Sequence, residues 1–158
     1  TRSRPPGRNL IENSAFDRGD FFSPWQRNNQ TVKPVKHDHQ GQGDPETGIG
    51  RMGRHSIALT ADGSEVFQEV KGLKPGHEYV FTGHMRVERG ERVVLGVRFP
   101  DGTEFISPNV TFGAPEWRRS RLYFTVPQNI SSAEVFARRL SKKGKTVYVD
   151  DFGLVLNQ

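Results

Sequence analysis

From residue 55 onward, apolar and polar positions alternate in short runs at 56–60, 65–70, 79–87, 93–99, 103–112, 118–126, 133–140 and 146–156. A period of two is the mark of half-buried β-strands. The runs are punctuated by Ala61-Asp62-Gly63, Leu73-Lys74-Pro75-Gly76, Glu88-Arg89-Gly90, Pro100-Asp101-Gly102 and Lys142-Lys143-Gly144, all of them turn chemistry. Further upstream, 9–11 forms a short apolar strand, Trp25 anchors another in the core, and 31–36 reads as an edge strand because Pro34 cannot donate to a ladder. The segment 37–54 is the longest loop; its His37 and His39 lack a third ligand at zinc spacing and read as exposed. Steadily spaced short strands with no convincing helix or repeat predict an all-β sandwich or jelly roll.

Alternation also assigns faces. Tyr79, Phe81, Gly83, Met85 and Val87 point to the core, leaving Thr82, His84 and Arg86 outward. Val93, Leu95, Val97 and Phe99 point inward, with Val94, Gly96 and Arg98 out. Leu122, Phe124 and Val126 are core, placing Arg119, Arg121 and Tyr123 outside; Ala133, Val135 and Ala137 are core, placing Glu134, Phe136 and Arg138 outside. An aromatic ring at 136 between acidic and basic neighbours suits either a ligand contact or a ring covered by a loop.

At 158 residues the chain is one domain or slightly more, and 33% hydrophobic content with 17 Gly and 10 Pro fits a turn-rich β protein. Residues 1–8 have linker composition. They carry three of the arginines behind a net charge of +5, so the body holds only +2. Anion binding therefore depends on where particular arginines sit. Cysteine is absent, which excludes a disulfide framework and thiol catalysis. No nucleophile elbow, phosphate-cradling loop or zinc-binding helix appears, and no motif of the known nucleic-acid readers.

The closing strand, 146–156, is interrupted by Asp150-Asp151. A buried carboxylate needs a partner or a cation. The opposite end offers Glu12, Asn13 and Asp17 after the first strand, and if the two end strands lie side by side these oxygens suit calcium. The other reading has Asp150 capping a strand end and Asp151 in water.

Several pieces now coincide: Asn9-Leu10-Ile11-Glu12-Asn13 with Phe16-Asp17, Gly19 and Trp25; Gly53-Arg54-His55-Ser56-Ile57-Ala58-Leu59; Val66-Phe67-Gln68-Glu69-Val70 followed by Leu73-Lys74-Pro75-Gly76 and Tyr79. To these add Trp117 before Tyr123-Phe124-Thr125-Val126-Pro127, and Tyr148-Val149-Asp150-Asp151-Phe152. Together they resemble the calcium-stabilised β-jelly-roll carbohydrate-binding modules of galactose-binding-like type, which are appended to xylanases, endoglucanases and related polysaccharide-degrading enzymes. The resemblance covers 9–156 and implies a galactose-binding-like jelly roll of two antiparallel sheets over 9–158, behind a linker remnant at 1–8.

The resemblance further implies a structural calcium held by Asp17 and Asp150, to which the residue reading adds Glu12. It implies glycan binding on a concave sheet, with Gln26, Asn28, Gln68, Arg98, Phe105, Phe136 and Arg138 as contacts by strand position, and Phe105 as a sugar platform. Arg98 and Arg138 on one face suggest an acidic or sulfated polysaccharide, since guanidinium forks match carboxylate and sulfate. Surface pairing with Glu134 and other acids is the competing account. His84 with Arg86, or Arg119 with Arg121, offers a second basic patch on the opposite face.

The expectation is a secreted, non-catalytic, monomeric module, covalently linked to a catalytic domain and binding polysaccharide, with no nucleic-acid or membrane partner. A module for a neutral β-glycan such as xylan or β-glucan, and a protein-interaction or adhesion spacer, are the alternatives.

Overall fold

The computed structural model describes residues 9–12, 24–36, 55–87, 91–107, 117–140 and 147–157. Among these lie ten strands and no helix: β1 (Gln26–Arg27), β2 (Val32–Lys36), β3 (His55–Leu59), β4 (Glu65–Lys71), β5 (Glu78–Arg86), β6 (Val93–Arg98), β7 (Glu104–Ile106), β8 (Trp117–Thr125), β9 (Ser132–Arg139) and β10 (Val147–Leu156). They form two five-stranded sheets, ordered β1-β4-β9-β6-β7 and β2-β3-β10-β5-β8, and every pairing is antiparallel. We call them sheets A and B. The expected β-sandwich jelly roll is present, and β2 lies at a sheet edge as Pro34 requires.

The inward rows of both sheets form one core, which includes Val66, Val70, Phe81, Met85, Leu95, Val97, Leu122, Phe124, Val135 and Ala137. Its centre is built around Phe152. That ring stacks on Phe81 at 5.8 Å and meets Trp25 at 4.8 Å.

Phe152 reaches the core only through a β-bulge. Asp150 pairs with His84 and Gly153 with Thr82, so two residues of β10, Asp151 and Phe152, oppose the single Gly83. Before the bulge Val147 and Val149 face inward; after it Phe152 and Leu154 do. Asp151 takes the extra step with φ of 56°, a left-handed conformation that Asp tolerates better than most residues. Gly83 completes the fit, because a Cβ there would lie 2.7 Å from Phe152 Cε1. The adjacent acids therefore mark a change of parity in the strand.

Residues 9–12, where a short strand is expected, form none, yet they run beside β10. Leu10 N donates to Leu154 O at 2.8 Å, while the Asn9 amide donates to Phe152 O at 3.2 Å and accepts from Leu154 N at 3.0 Å. Two residues on, the chain is held by the other sheet: Glu12 N donates to Gln68 Oε1 at 2.9 Å, and Gln68 Nε2 donates to Glu12 O at 3.0 Å. Residues 9–12 thus tie sheet B to sheet A.

A charged pair lies inside the sandwich. Inward alternation along β9 ends in Arg139, 1% exposed, which donates to Glu91, 0% exposed, at 3.0 Å and to Leu59 O at 2.9 Å. Removing Glu91 takes a counterion from Arg139 in a dry site, which costs far more than a surface pair is worth. Glu91→Ala is expected to destabilise the domain by about 3–5 kcal/mol, lowering the melting temperature by roughly 6–20 °C for a domain of this size, as read by thermal denaturation.

Candidate functional site

On the outer face of sheet A, antiparallel register brings single residues from successive strands into rows. The central row is Gln26, Phe67, Phe136, Gly96 and Ile106. On one side of it lie Glu69, Glu134, Arg98 and Glu104, one from each of β4, β9, β6 and β7. On the other lie Glu65, Arg138 and Val94.

The two arginines fold inward from their rows over the ring of Phe136. Arg138 Cζ stands 4.4 Å and Arg98 Cζ 5.0 Å from its centroid, and Arg98 also lies 5.9 Å from that of Phe67. Guanidinium planes are attracted to aromatic faces, and stacking leaves their edges free to donate. Gly96 makes the arrangement possible, since a Cβ there would stand 2.0 Å from Phe136 Cζ. Phe136 is consequently completely buried.

The guanidinium edges are taken by three carboxylates. Arg98 donates to Glu134 at 2.9 Å, to Glu65 at 3.1 Å and to Glu104 at 3.5 Å. Arg138 donates to Glu65 at 2.8 and 3.0 Å and to Glu104 at 3.0 and 3.3 Å. Glu65 sits between them, one oxygen serving each arginine, with its side chain 8% exposed. Its partners complete a closed network over one ring. Two cations against three anions leave the cluster with a formal charge of −1.

The network also sets protonation. Hydrogen bonding from Arg138 holds the Glu104 carboxyl below its ordinary range, outweighing partial burial, which acts the other way.

Two open clefts flank Glu69, at the end of these rows. One, about 380 Å³, is lined by Glu69, Arg98, Phe99, Pro100, Ser132 and Glu134 among others. The second, about 400 Å³, lies between Glu69, Gln68 and Lys71 on β4 and Asn9, Leu10 and Glu12 of the N-terminal segment.

No family model matches the sequence, and a search of characterised proteins found no match either. Solved structures do match. TmCBM61, in complex with β-1,4-galactotriose, superposes with a TM-score of 0.71 at 25% identity, covering 95% of this chain and 99% of that one. A family 16 carbohydrate-binding module superposes with a TM-score of 0.65 at 21% identity, covering 93% and 99%. A Clostridium thermocellum xylanase 10B structure comprising CBM22-1 and GH10 modules, complexed with xylohexaose, gives 0.61 at 15% identity; this chain covers 28% of it, with 95% of this chain included. The chain has the jelly-roll fold of the carbohydrate-binding modules.

Of the module's expected contacts, Arg98, Phe136 and Arg138 do come together on one face, and Gln26 stands exposed at the end of the central row. Phe136, though, is a buried support under two guanidiniums, so its ring cannot stack on a sugar while they stay in place. Gln68 does not face outward. It lies between the inward Val66 and Val70, is 3% exposed, and spends its amide on the Glu12 main chain. Asn28 serves the backbone too, donating to Gly63 O at 2.7 Å and accepting from Glu65 N at 3.0 Å. Phe105 pairs in register with the inward-facing Val97, so it belongs to the opposite parity from Arg98; 46% exposed at the sheet edge, it meets Phe99 edge-on at 6.2 Å.

Among the metal candidates, Asp150 is buried and accepts from Asp151 N at 2.8 Å, Glu12 is exposed, and Asp17 lies outside the described residues. Among the described residues no three acidic or histidine side chains gather as a metal site. Asp151 is not simply solvated, since its carboxylate pairs with His84 at 3.1 Å. Sequence reading missed Glu65, Glu104 and Phe67. For Glu65 and Phe67 the signal was the parity of 65–70: with Val66 and Val70 inward, the odd positions face out.

A carboxylate whose pKa falls on folding adds stability above its unfolded value, and that stability is lost as pH falls through the folded one. Glu104→Gln should therefore lower the melting temperature at pH 7. The difference from the native chain should shrink as the pH drops below about 4.5, Glu104's ordinary value. Paired melting curves from pH 7 to pH 3 read this directly.

Proposed function

We propose that this chain is a non-catalytic polysaccharide-binding module that uses the outer face of sheet A, and that its ligand there is a neutral glycan. The observation that carries the reading is the closed network over Phe136. Arg98 and Arg138 already bond Glu65, Glu104 and Glu134, so an incoming carboxylate or sulfate would meet a face of net negative charge. Hydroxyl groups are suited to it. They donate to the outer lone pairs of Glu134, Glu104 and Glu69 and accept from guanidinium edges, without the desolvation cost of a second ion. The row Glu69-Glu134-Arg98-Glu104 crosses three inter-strand gaps, about 14 Å at 4.7–4.9 Å each, and continues into the cleft of about 380 Å³. A linear chain laid across the strands can bond at several points.

The solved neighbours are consistent with this: one is complexed with a galactotriose, another with xylohexaose and joined to a GH10 module. By the same reading the chain serves a covalently linked catalytic domain in a secreted enzyme. Binding would raise local substrate concentration with no chemistry of its own. It would act as a monomer. Among the described residues no helix is long and apolar enough to cross a membrane.

The acidic or sulfated ligand expected from Arg98 and Arg138 is the less favoured reading for this face. Affinity electrophoresis against galactan, xylan and mixed-linkage glucan, beside carrageenan and pectate, tests the choice. Retardation in a neutral gel, weakened about tenfold by Glu134→Ala through loss of one charge-assisted bond, supports it. Absence of retardation in every neutral gel overturns it.

A structural calcium at the junction of the chain's ends is a second part of the proposal. Asp150 is a buried carboxylate on the strand that residues 9–12 pair with, and hard oxygen donors suit calcium. Asp150 and Asp17 would hold the ion, and it would supply charge balance and cross-linking. An ion that binds only the folded state stabilises it, by about 2.7 kcal/mol at a hundredfold excess over Kd. A chelator should lower the melting temperature and added calcium restore it; an unchanged melt sinks the idea.

A further inference from the structure

The outer face of sheet B carries cations in a setting opposite to that of sheet A. β8 is the edge strand of sheet B, and its outward residues Arg119, Arg121 and Tyr123 stand in register with His84, Thr82 and Val80 of β5. All three are exposed, Tyr123 at 54%. No salt bridge joins Arg119 or Arg121 to a described residue; of the two acids on this side of β10, Asp150, in register with His84, is fully buried, and Asp151 pairs with His84 at 3.1 Å. Behind Arg121 and Tyr123 the neighbouring positions are Thr82, Gly153, Val80 and Val155, which carry no charge.

We propose that Arg119, Arg121 and Tyr123 form a second binding site, on the edge of sheet B, for an anionic polysaccharide running along β8. Residues i and i+2 of a strand are about 6.7 Å apart on the same face. The two guanidiniums therefore present a pair of forks in line, and the phenol ring follows one step further along. Carboxylate or sulfate groups repeated along a polymer take bidentate bonds from the forks, while the ring offers a surface to sugar C–H groups. Arginines with no carboxylate partner among the described residues are what the sheet A network lacks. Charge complementarity thus assigns the anionic ligand to sheet B and the neutral one to sheet A. A polysaccharide is favoured over nucleic acid because no motif of the known nucleic-acid readers appears in the sequence. The proposal rests on the polysaccharide reading above for its ligand class alone, and its residues are separate.

The test uses affinity electrophoresis of the whole chain at moderate salt in carrageenan, pectate, galactan and xylan gels. The native chain should be retarded by an anionic gel. Arg119→Gln with Arg121→Gln should weaken that retardation at least tenfold, Arg121→Gln alone and Tyr123→Ala severalfold, and all should leave retardation in neutral gels and the melting temperature unchanged. Glu134→Ala should do the converse. No retardation of the native chain in either anionic gel overturns the proposal. So does anionic retardation that the double variant leaves intact, or equally strong binding to duplex DNA at the same salt. Failure in the neutral gels alone bears on sheet A only.

Discussion

The bulge at Asp151 is the constraint on which the rest of the sandwich depends. β10 lies in the middle of sheet B, between β3 and β5, so its parity fixes what the core receives. Without the extra residue, Asp151, Gly153 and Val155 would follow Val149 inward, placing a carboxylate where Phe152 now packs against Phe81 and Trp25. A strand's side chains reverse faces with any one-residue slip. Here the slip is built in, and Gly83 opposite it leaves the space that the ring fills. The same stretch receives the N-terminal segment through Asn9 and Leu10, so one irregularity anchors both the core and the closure of the two sheets.

The outer faces show how one residue type takes on different chemistry in different surroundings. Arg98 and Arg138 are stacked on Phe136 and paired with Glu65, Glu104 and Glu134. Arg119 and Arg121 stand on an edge strand, beside His84 and Thr82 of β5. Arg139, inward at the end of β9, is buried with Glu91 and contributes to the core. Desolvation and partner count separate a platform, a surface and a structural pair. Sequence position does not.

The network over Phe136 is also economical in its geometry. Stacking orients both guanidinium planes with their edges towards the carboxylates, and each carboxylate of Glu65 and Glu104 meets both arginines. Side chains held this way lose little further freedom on binding, which is the condition for a polar surface to grip a flexible chain of hydroxyl groups. Gly96, on β6, keeps the floor low enough for the ring. A methyl group there would lift Phe136 and both arginines with it.

By itself the sequence determined that strands follow one another from β3 onward, their turns, the inward residues of β5, β6, β8 and β9, and the sandwich class. Period-two alternation and turn chemistry are local properties, readable wherever a strand buries one face. It also placed Arg98, Phe136 and Arg138 on one side, because parity within β6 and β9 is local too. It did not determine that Gln68 would turn inward to hold Glu12, that Phe105 would fall on the other parity, or that Phe136 would be roofed over. Those outcomes depend on register between strands distant in the chain, such as Glu65 beside Arg138, 73 residues away. Which charges meet is decided by cross-strand alignment a few ångströms wide, and only the assembled sheets set it.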